Sequence, residues 1–250
     1  MPTRDEYLST LHRDIELFET AIRAGGDLTQ PVDGCGDWTL ADLVQHVGRL
    51  ERLIVEGITA GETPKAQAEP PQDAREYAAW FAEGAAGLEA MLASKPDDEP
   101  CWTFFPNAPQ AIGTWVRRMT QEHAVHRYDA ELAATGTAEA IDPLIAKDGI
   151  DEFFDIFLGR IDQRRPIRIG DLAVQLQTLD DDGDDRAWMI RCSDSAPVVT
   201  REHAKGDVAL QGPANALLLA LWGRVDTDEM GVELYGSPED WVRFQTAIAI

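Results

Sequence analysis

The hydrophobic period of this 250-residue chain changes once along its length, and that change constrains the fold more than any other feature. Up to about residue 140, apolar residues recur every three to four positions, as on an amphipathic helix. From Pro166 they alternate, as on a half-buried strand. Four helices are predicted before the break. Thr3 and Glu6 make a capping box for the first, whose face is Leu8, Leu11, Ile15, Phe18 and Ile22, running to about Ala24. Thr39, with Asp42 three positions on, opens the second, with Leu40, Leu43, Val47, Leu50 and Ile54 inward and Gly61 at its end. A linker-like stretch over 62–72 precedes a third helix at about 73–94, with Tyr77, Trp80, Phe81, Leu88 and Met91 as its apolar face. The fourth covers roughly 111–135. Four such helices suggest a bundle.

Residues 144–161 read as a further helix bridging the halves. Strands are then predicted around Leu172–Thr178 and Trp188–Cys192, with a third at Val208 and Leu210. An apolar helix over 213–222, a short strand at Val232 and Leu234, and a closing helix over 238–248 complete the chain. The expected organisation is a two-domain α+β protein: a four-helix bundle over 1–140, a connecting helix over 141–165, and a small α+β domain over 166–250. The acidic run from Asp180 to Asp185 lacks the ligand spacing and terminal Glu of a calcium loop, and reads as a solvated hairpin turn.

Two polar residues interrupt the fourth helix's apolar stripe. Ile112, Trp115, Val116 and Met119 lead to Glu122 and His126, and Ala130 and Ala133 follow. A carboxylate and an imidazole facing a core are costly unless compensated, and a metal ion compensates both at once. His46 stands beside the second helix's stripe, three residues after Leu43 and four before Leu50. Two His and one Glu form a three-ligand set, with which catalytic zinc keeps a fourth position open. The competing reading is an exposed i,i+4 ion pair between Glu122 and His126, worth ~0.5 kcal/mol. Hydrogen bonding alone also satisfies many buried His and Glu side chains.

The formal charge of −23 is spread along the chain: 24 acidic and 11 basic residues fall in 1–140, and 21 and 11 in 141–250. No basic patch suited to nucleic acid appears, and such a surface repels DNA and anionic membranes. No run reaches the ~18 apolar residues of a membrane span. Three scattered cysteines, Cys35, Cys101 and Cys192, make neither a disulfide framework nor a CxxC zinc motif. The charged N-terminus lacks the apolar segment of a signal peptide, so a cytoplasmic location is expected.

Three stretches of sequence then resemble a known family. Cys35-Gly36-Asp37-Trp38-Thr39-Leu40-Ala41-Asp42-Leu43-Val44-Gln45-His46 is similar to the first signature of the mycothiol-dependent maleylpyruvate isomerase family. Glu122-His123-Ala124-Val125-His126-Arg127-Tyr128-Asp129-Ala130-Glu131 is similar to its second. Gly212-Pro213-Ala214 and Leu221-Trp222-Gly223-Arg224 resemble its C-terminal domain. Gly36 departs from the proline often found after the first-signature cysteine. The resemblance implies a DinB-like four-helix bundle followed by a sterol-carrier-like α+β domain, in a family of actinobacterial proteins. It also implies zinc on His46, Glu122 and His126, with mycothiol as cosubstrate. The abundance of Arg (18, against 4 Lys) fits a GC-rich genome. His123 is then a neighbour, expected as a hydrogen-bonded histidine on the helix surface.

The chemistry expected of such a centre is that of an activated low-molecular-weight thiol, since a metal-bound thiol ionises far below its free pKa of roughly 8.5. Addition to a conjugated cis double bond, rotation and elimination give the trans isomer; displacement or lasting addition is thiol transfer. The substrate is expected to be a small electrophile bound toward the second domain. Arg224 is the candidate catalytic clamp for a substrate carboxylate, against the reading that it caps a helix C-terminus. Cys35, in a Gly-rich turn, is expected to pack rather than react. A metal- or small-ligand-binding protein without turnover is the rival class, and a structural domain without metal the third.

Overall fold

The computed structural model describes residues 1–181, 183–225 and 230–249, and falls into two compact units, Met1–Ile141 and Asp142–Ile250. The first is helical: α1 (Arg4–Ala24), α2 (Leu40–Ala60), α3 (Tyr77–Ala93) and α4 (Ile112–Thr135). The caps explain the boundaries. Thr3 and Thr39 each accept from the backbone N–H three residues on, while Glu6 and Asp42 return the bond. Gly61 and Gly136 end α2 and α4 in the left-handed conformation, with φ of 73° and 74°, which costs glycine little. A 3₁₀ turn, Ala74–Glu76, precedes α3.

Two faces are rotated from expectation. On α2, Leu50 is only half-buried and Glu51 is fully buried, in register with Val47 and Ile54. On α3, Trp80 and Met91 are half-buried, while Gly84, Ala85 and Leu92 complete the face of Tyr77, Phe81 and Leu88. Trp80 lies against Gly48 of α2, where an added methyl would overlap the indole ring, and Arg52 stacks 4.3 Å from that ring. Helix α4 is buried nearly all round, and carries Arg118, Gln121, His123, Arg127 and Asp129 among its buried residues.

The second unit begins with α5 (Pro143–Glu152), which does not continue as one α-helix. Phe153–Leu158 widens into a π-helical segment before α6 (Gly159–Arg164). The rings of Phe153 and Phe157 lie 5.1 and 5.0 Å from Trp222, each nearly edge-on. Residues four apart share a helix face, so both rings reach one indole.

A five-stranded sheet follows, in the order β3-β2-β1-β4-β5, from β1 (Leu172–Thr178), β2 (Ala187–Cys192), β3 (Val198–Thr200), β4 (Val208–Gly212) and β5 (Glu233–Gly236). Among the described residues only the β1–β4 pair is parallel. Val174, Leu176, Val208 and Leu210 are fully buried, and α7 (Ala214–Leu221) and α8 (Pro238–Ile248) pack on β1 and β4. Strand β3 was not anticipated: three residues are too short to establish a period. The acidic turn is also more than a solvated hairpin. Asp180 accepts the Ala214 N–H at the start of α7 (3.2 Å) and lies 3.3 Å from the fully buried Lys147 ammonium. Free N–H groups at a helix start favour a carboxylate there. Asp182 lies outside the described residues. Among the described residues no helix is long and apolar enough to cross a membrane.

Candidate metal centre

Helices α2 and α4 bring His46, Glu122 and His126 together. Glu122 and His126 are one turn apart on α4, and His46 reaches them from the second turn of α2. His46 Nε2 lies 3.0 Å and His126 Nε2 3.3 Å from the same Glu122 oxygen, Oε1. The imidazole rings meet edge-on at 5.2 Å. The other Glu122 oxygen accepts from the Arg118 guanidinium at 2.7 Å, one turn earlier on α4. One ligand atom from each of His46, Glu122 and His126 lies within 4.8 Å of the others.

The electrostatics fit a cation-binding cluster. Burial alone would raise the Glu122 carboxyl, but Arg118 and hydrogen bonds from His126 and His46 outweigh it and hold the group well below the usual carboxylate range. Burial likewise opposes charge on His126, but hydrogen bonds to Asp129 and Glu122 lift it to about 9. His126 Nδ1–H donates to Asp129 Oδ2 at 2.9 Å, so its Nε2 is turned to the cluster. Arg118 occupies only one Glu122 oxygen, leaving Oε1 directed at both histidines. Two imidazole nitrogens and one carboxylate oxygen are donors that zinc accepts, and the set leaves a fourth position for another ligand. The residues present fit a divalent metal.

The exposed side of the cluster is at His46, whose side chain keeps 37 % exposure against 13 % and 11 % for Glu122 and His126. A cavity of about 320 Å³ lies there, lined by Trp38, Asp42, Gln45, His46, Arg49 and Leu50 among others. The Trp38 ring stands 4.9 Å from His46.

His123 does not sit on the helix surface. It is completely buried, with Nδ1 on the Met119 carbonyl (2.8 Å) and Nε2 3.0 Å from Glu51 Oε1. Glu51 escaped the sequence reading although its spacing from Val47 and Ile54 marked it as inward. Arg127 was also missed; it is fully buried and donates to Asp14 (3.3 Å) and Glu131 (2.9 Å). Arg224 lies just beyond α7 in the second unit. Its backbone N–H reaches the Leu219 carbonyl and its guanidinium the Trp222 carbonyl (2.7 Å), the geometry of a helix C-terminal cap. Burial pushes the Cys192 thiol up to about 11 and also raises Cys101, which suits neither to nucleophilic work at neutral pH.

A helical unit carrying a His/Glu/His cluster that could hold a metal, followed by an α+β unit, is the architecture of the chain. Residues 8–131 match the mycothiol maleylpyruvate isomerase N-terminal domain and residues 144–243 the MDMPI C-terminal domain. The chain belongs to the mycothiol-dependent maleylpyruvate isomerase family. Two solved structures share its fold, the mycothiol-dependent maleylpyruvate isomerase and a mutant of it. Their TM-scores are 0.57 and 0.58, each at 14 % identity and covering 93 % of both chains. No curated protein matches the sequence.

Proposed function

We propose that this protein is a metal-dependent isomerase or transferase that uses a low-molecular-weight thiol, mycothiol, on a small electrophilic substrate. His46, Glu122 and His126 hold a divalent metal, zinc by donor preference. The observation that carries this reading is the convergence of both histidines on one Glu122 oxygen while Arg118 holds the other. When bound, the metal supplies a Lewis-acid position at which a thiol loses its proton near neutral pH.

The side chains divide the remaining work. Arg118 keeps Glu122 anionic within its buried setting. Asp42, Gln45 and Arg49 offer polar groups along the cavity beside His46, where a hydroxyl- and amide-rich thiol finds hydrogen bonds. Arg224 is the group proposed to bind a substrate carboxylate, through a guanidinium whose planar fork matches it. The acidic surface disfavours nucleic acid, so the substrate is a small molecule, and a reducing cytoplasm is the proposed setting.

The test is elemental analysis of protein purified without chelator, then calorimetric titration with mycothiol and a turnover scan over unsaturated acids and other electrophiles. About one metal per chain, thiol binding and thiol-dependent turnover are expected. Protein without metal would sink the centre. Metal-loaded protein that binds thiol and turns over nothing would make a ligand-binding role the better reading. Arg224→Ala should leave the metal in place and weaken carboxylate-bearing substrates by about 10–100-fold, the worth of a charged hydrogen bond. Equal loss on neutral substrates would remove Arg224 from recognition.

A further inference from the structure

The face of His126 turned away from Glu122 is occupied as well. Asp129, three residues further along α4, places Oδ2 2.9 Å from His126 Nδ1, and its side chain is only 1 % exposed. The Cys35 thiol, in the loop before α2, donates to that same oxygen at 3.6 Å. A neutral imidazole carries one N–H and one lone pair, so a carboxylate that fixes the proton on Nδ1 directs the lone pair through Nε2. Its negative charge also makes that lone pair more basic. His123, on the same helix, gives its Nδ1 only a backbone carbonyl.

We propose that Asp129 is a positioning residue for the metal ligand His126, holding its tautomer and ring plane so that Nε2 faces the centre, with Cys35 as a hydrogen-bond donor to Asp129 and not a ligand. The proposal rests on the reading of His46, Glu122 and His126 as a metal centre. It competes with a definite alternative, because Cys35, His126 and Asp129 also bring ligand atoms within 4.8 Å of one another. A thiolate, an imidazole and a carboxylate are donors zinc accepts. The hydrogen bonds favour positioning. Once His126 Nε2 is committed to the cluster with His46 and Glu122, its Nδ1 is the nitrogen left for Asp129, and their 2.9 Å separation is an ordinary hydrogen-bond length.

The experiment measures zinc affinity by chelator competition, and proton NMR of the cobalt-substituted protein, for wild type, Asp129→Asn, Cys35→Ala and His46→Ala. Asp129→Asn keeps the side chain's shape and removes its charge, and circular dichroism checks that it folds. It is expected to bind zinc about 10–100-fold more weakly, the usual effect of losing such an outer carboxylate. Cys35→Ala is expected to keep wild-type affinity. In the wild-type cobalt protein, the His126 Nδ1–H should appear as a hyperfine-shifted signal slow to exchange with water, and should exchange quickly in Asp129→Asn. Absence of that slow signal from the cobalt-loaded wild type overturns the proposal without any variant. Unchanged affinity and exchange in Asp129→Asn, while the wild type binds zinc, overturns it and leaves the centre standing. Loss of metal in Cys35→Ala, with metal retained in His46→Ala, places the metal in the second trio and overturns it too. A wild type that binds neither metal removes the centre and this assignment together.

Discussion

Helix α4 carries two histidines three residues apart, each paired with a glutamate, and the two pairs differ in almost everything except residue type. His126 and Glu122 share their site with His46 and Arg118, and a cavity opens beside His46. His123 and Glu51 are both completely buried, and Glu51 Oε2 has no hydrogen-bond partner among the described residues. The carboxylates respond in opposite directions. Burial raises both, but around Glu122 three groups of opposite or donor character overturn it. Around Glu51, His123 is the main counterweight, and burial wins. A His/Glu pair in a helical core is thus not by itself a metal site. What distinguishes the open pair is a third candidate ligand on another helix, a cation holding the spare oxygen, and access from solvent.

The largest expected effect separates the pairs by function. His126→Ala should lower bound metal from about one per chain to a background level and abolish thiol-dependent activity. His123→Ala should retain metal yet destabilise the fold by about 3–5 kcal/mol, because it leaves a buried carboxylate without its counterweight. Metal content and urea denaturation of both variants check this. A His123→Ala protein that is stable and metal-free would reverse the two assignments.

The opposite carboxyl shifts give a second, smaller discrimination, read as metal-free stability against pH. Glu122 is depressed in the folded state, so its stabilisation is present above the unfolded value of about 4.3 and is lost as pH falls through the folded value. Glu51 is raised, so stabilisation is present below about 4.3 and is lost as pH rises through the folded value. Relative to Glu122→Gln, the wild type should lose stability on acidification; relative to Glu51→Gln, it should gain. Denaturation midpoints across an acid series decide it. Slopes of the same sign would mean that His123 holds Glu51 as a full anion and that the contrast drawn here is wrong.

How much of this was legible in the sequence follows from how local each interaction is. The helix starts at Thr3 and Thr39 were readable because a capping box closes within four residues. Glu122, His126 and His46 were readable as breaks in or beside apolar stripes, and the structure brings the three together. The Glu51–His123 pair spans 72 positions, so Glu51's inward spacing was visible while its partner was not. Asp129 shares a helical face with His126 at i,i+3, but its contact with Cys35 spans 94 positions. The π-helical widening over Phe153–Leu158 leaves no sign in the apolar spacing, which reads as a continuous helix, and the Trp222 ring that Phe153 and Phe157 meet lies far along the chain.

The smallest predicted effect sharpens the comparison along a single helix. Helix α2 supplies His46 to the open pair and Glu51 to the sealed one, and its first turn is tied by Thr39. The Asp42 N–H donates to the Thr39 hydroxyl at 3.3 Å, and Asp42 accepts the Thr39 N–H at 2.9 Å. Thr39→Ala removes the hydroxyl and should cost about 1 kcal/mol of stability. Fraying falls off within the first turn or two, so His46 feels it and Glu51, more than a turn further on, does not. Zinc affinity should therefore fall by a few-fold, up to about fivefold if the whole ~1 kcal/mol is coupled to His46. Hydrogen exchange at Glu51 and its neighbours should stay at the wild-type level. Chelator competition and residue-resolved exchange read the two ends of α2 separately. Loss of protection at Glu51 equal to that at His46 would show that α2 unfolds as one unit, and that the open and sealed pairs are not independently adjustable.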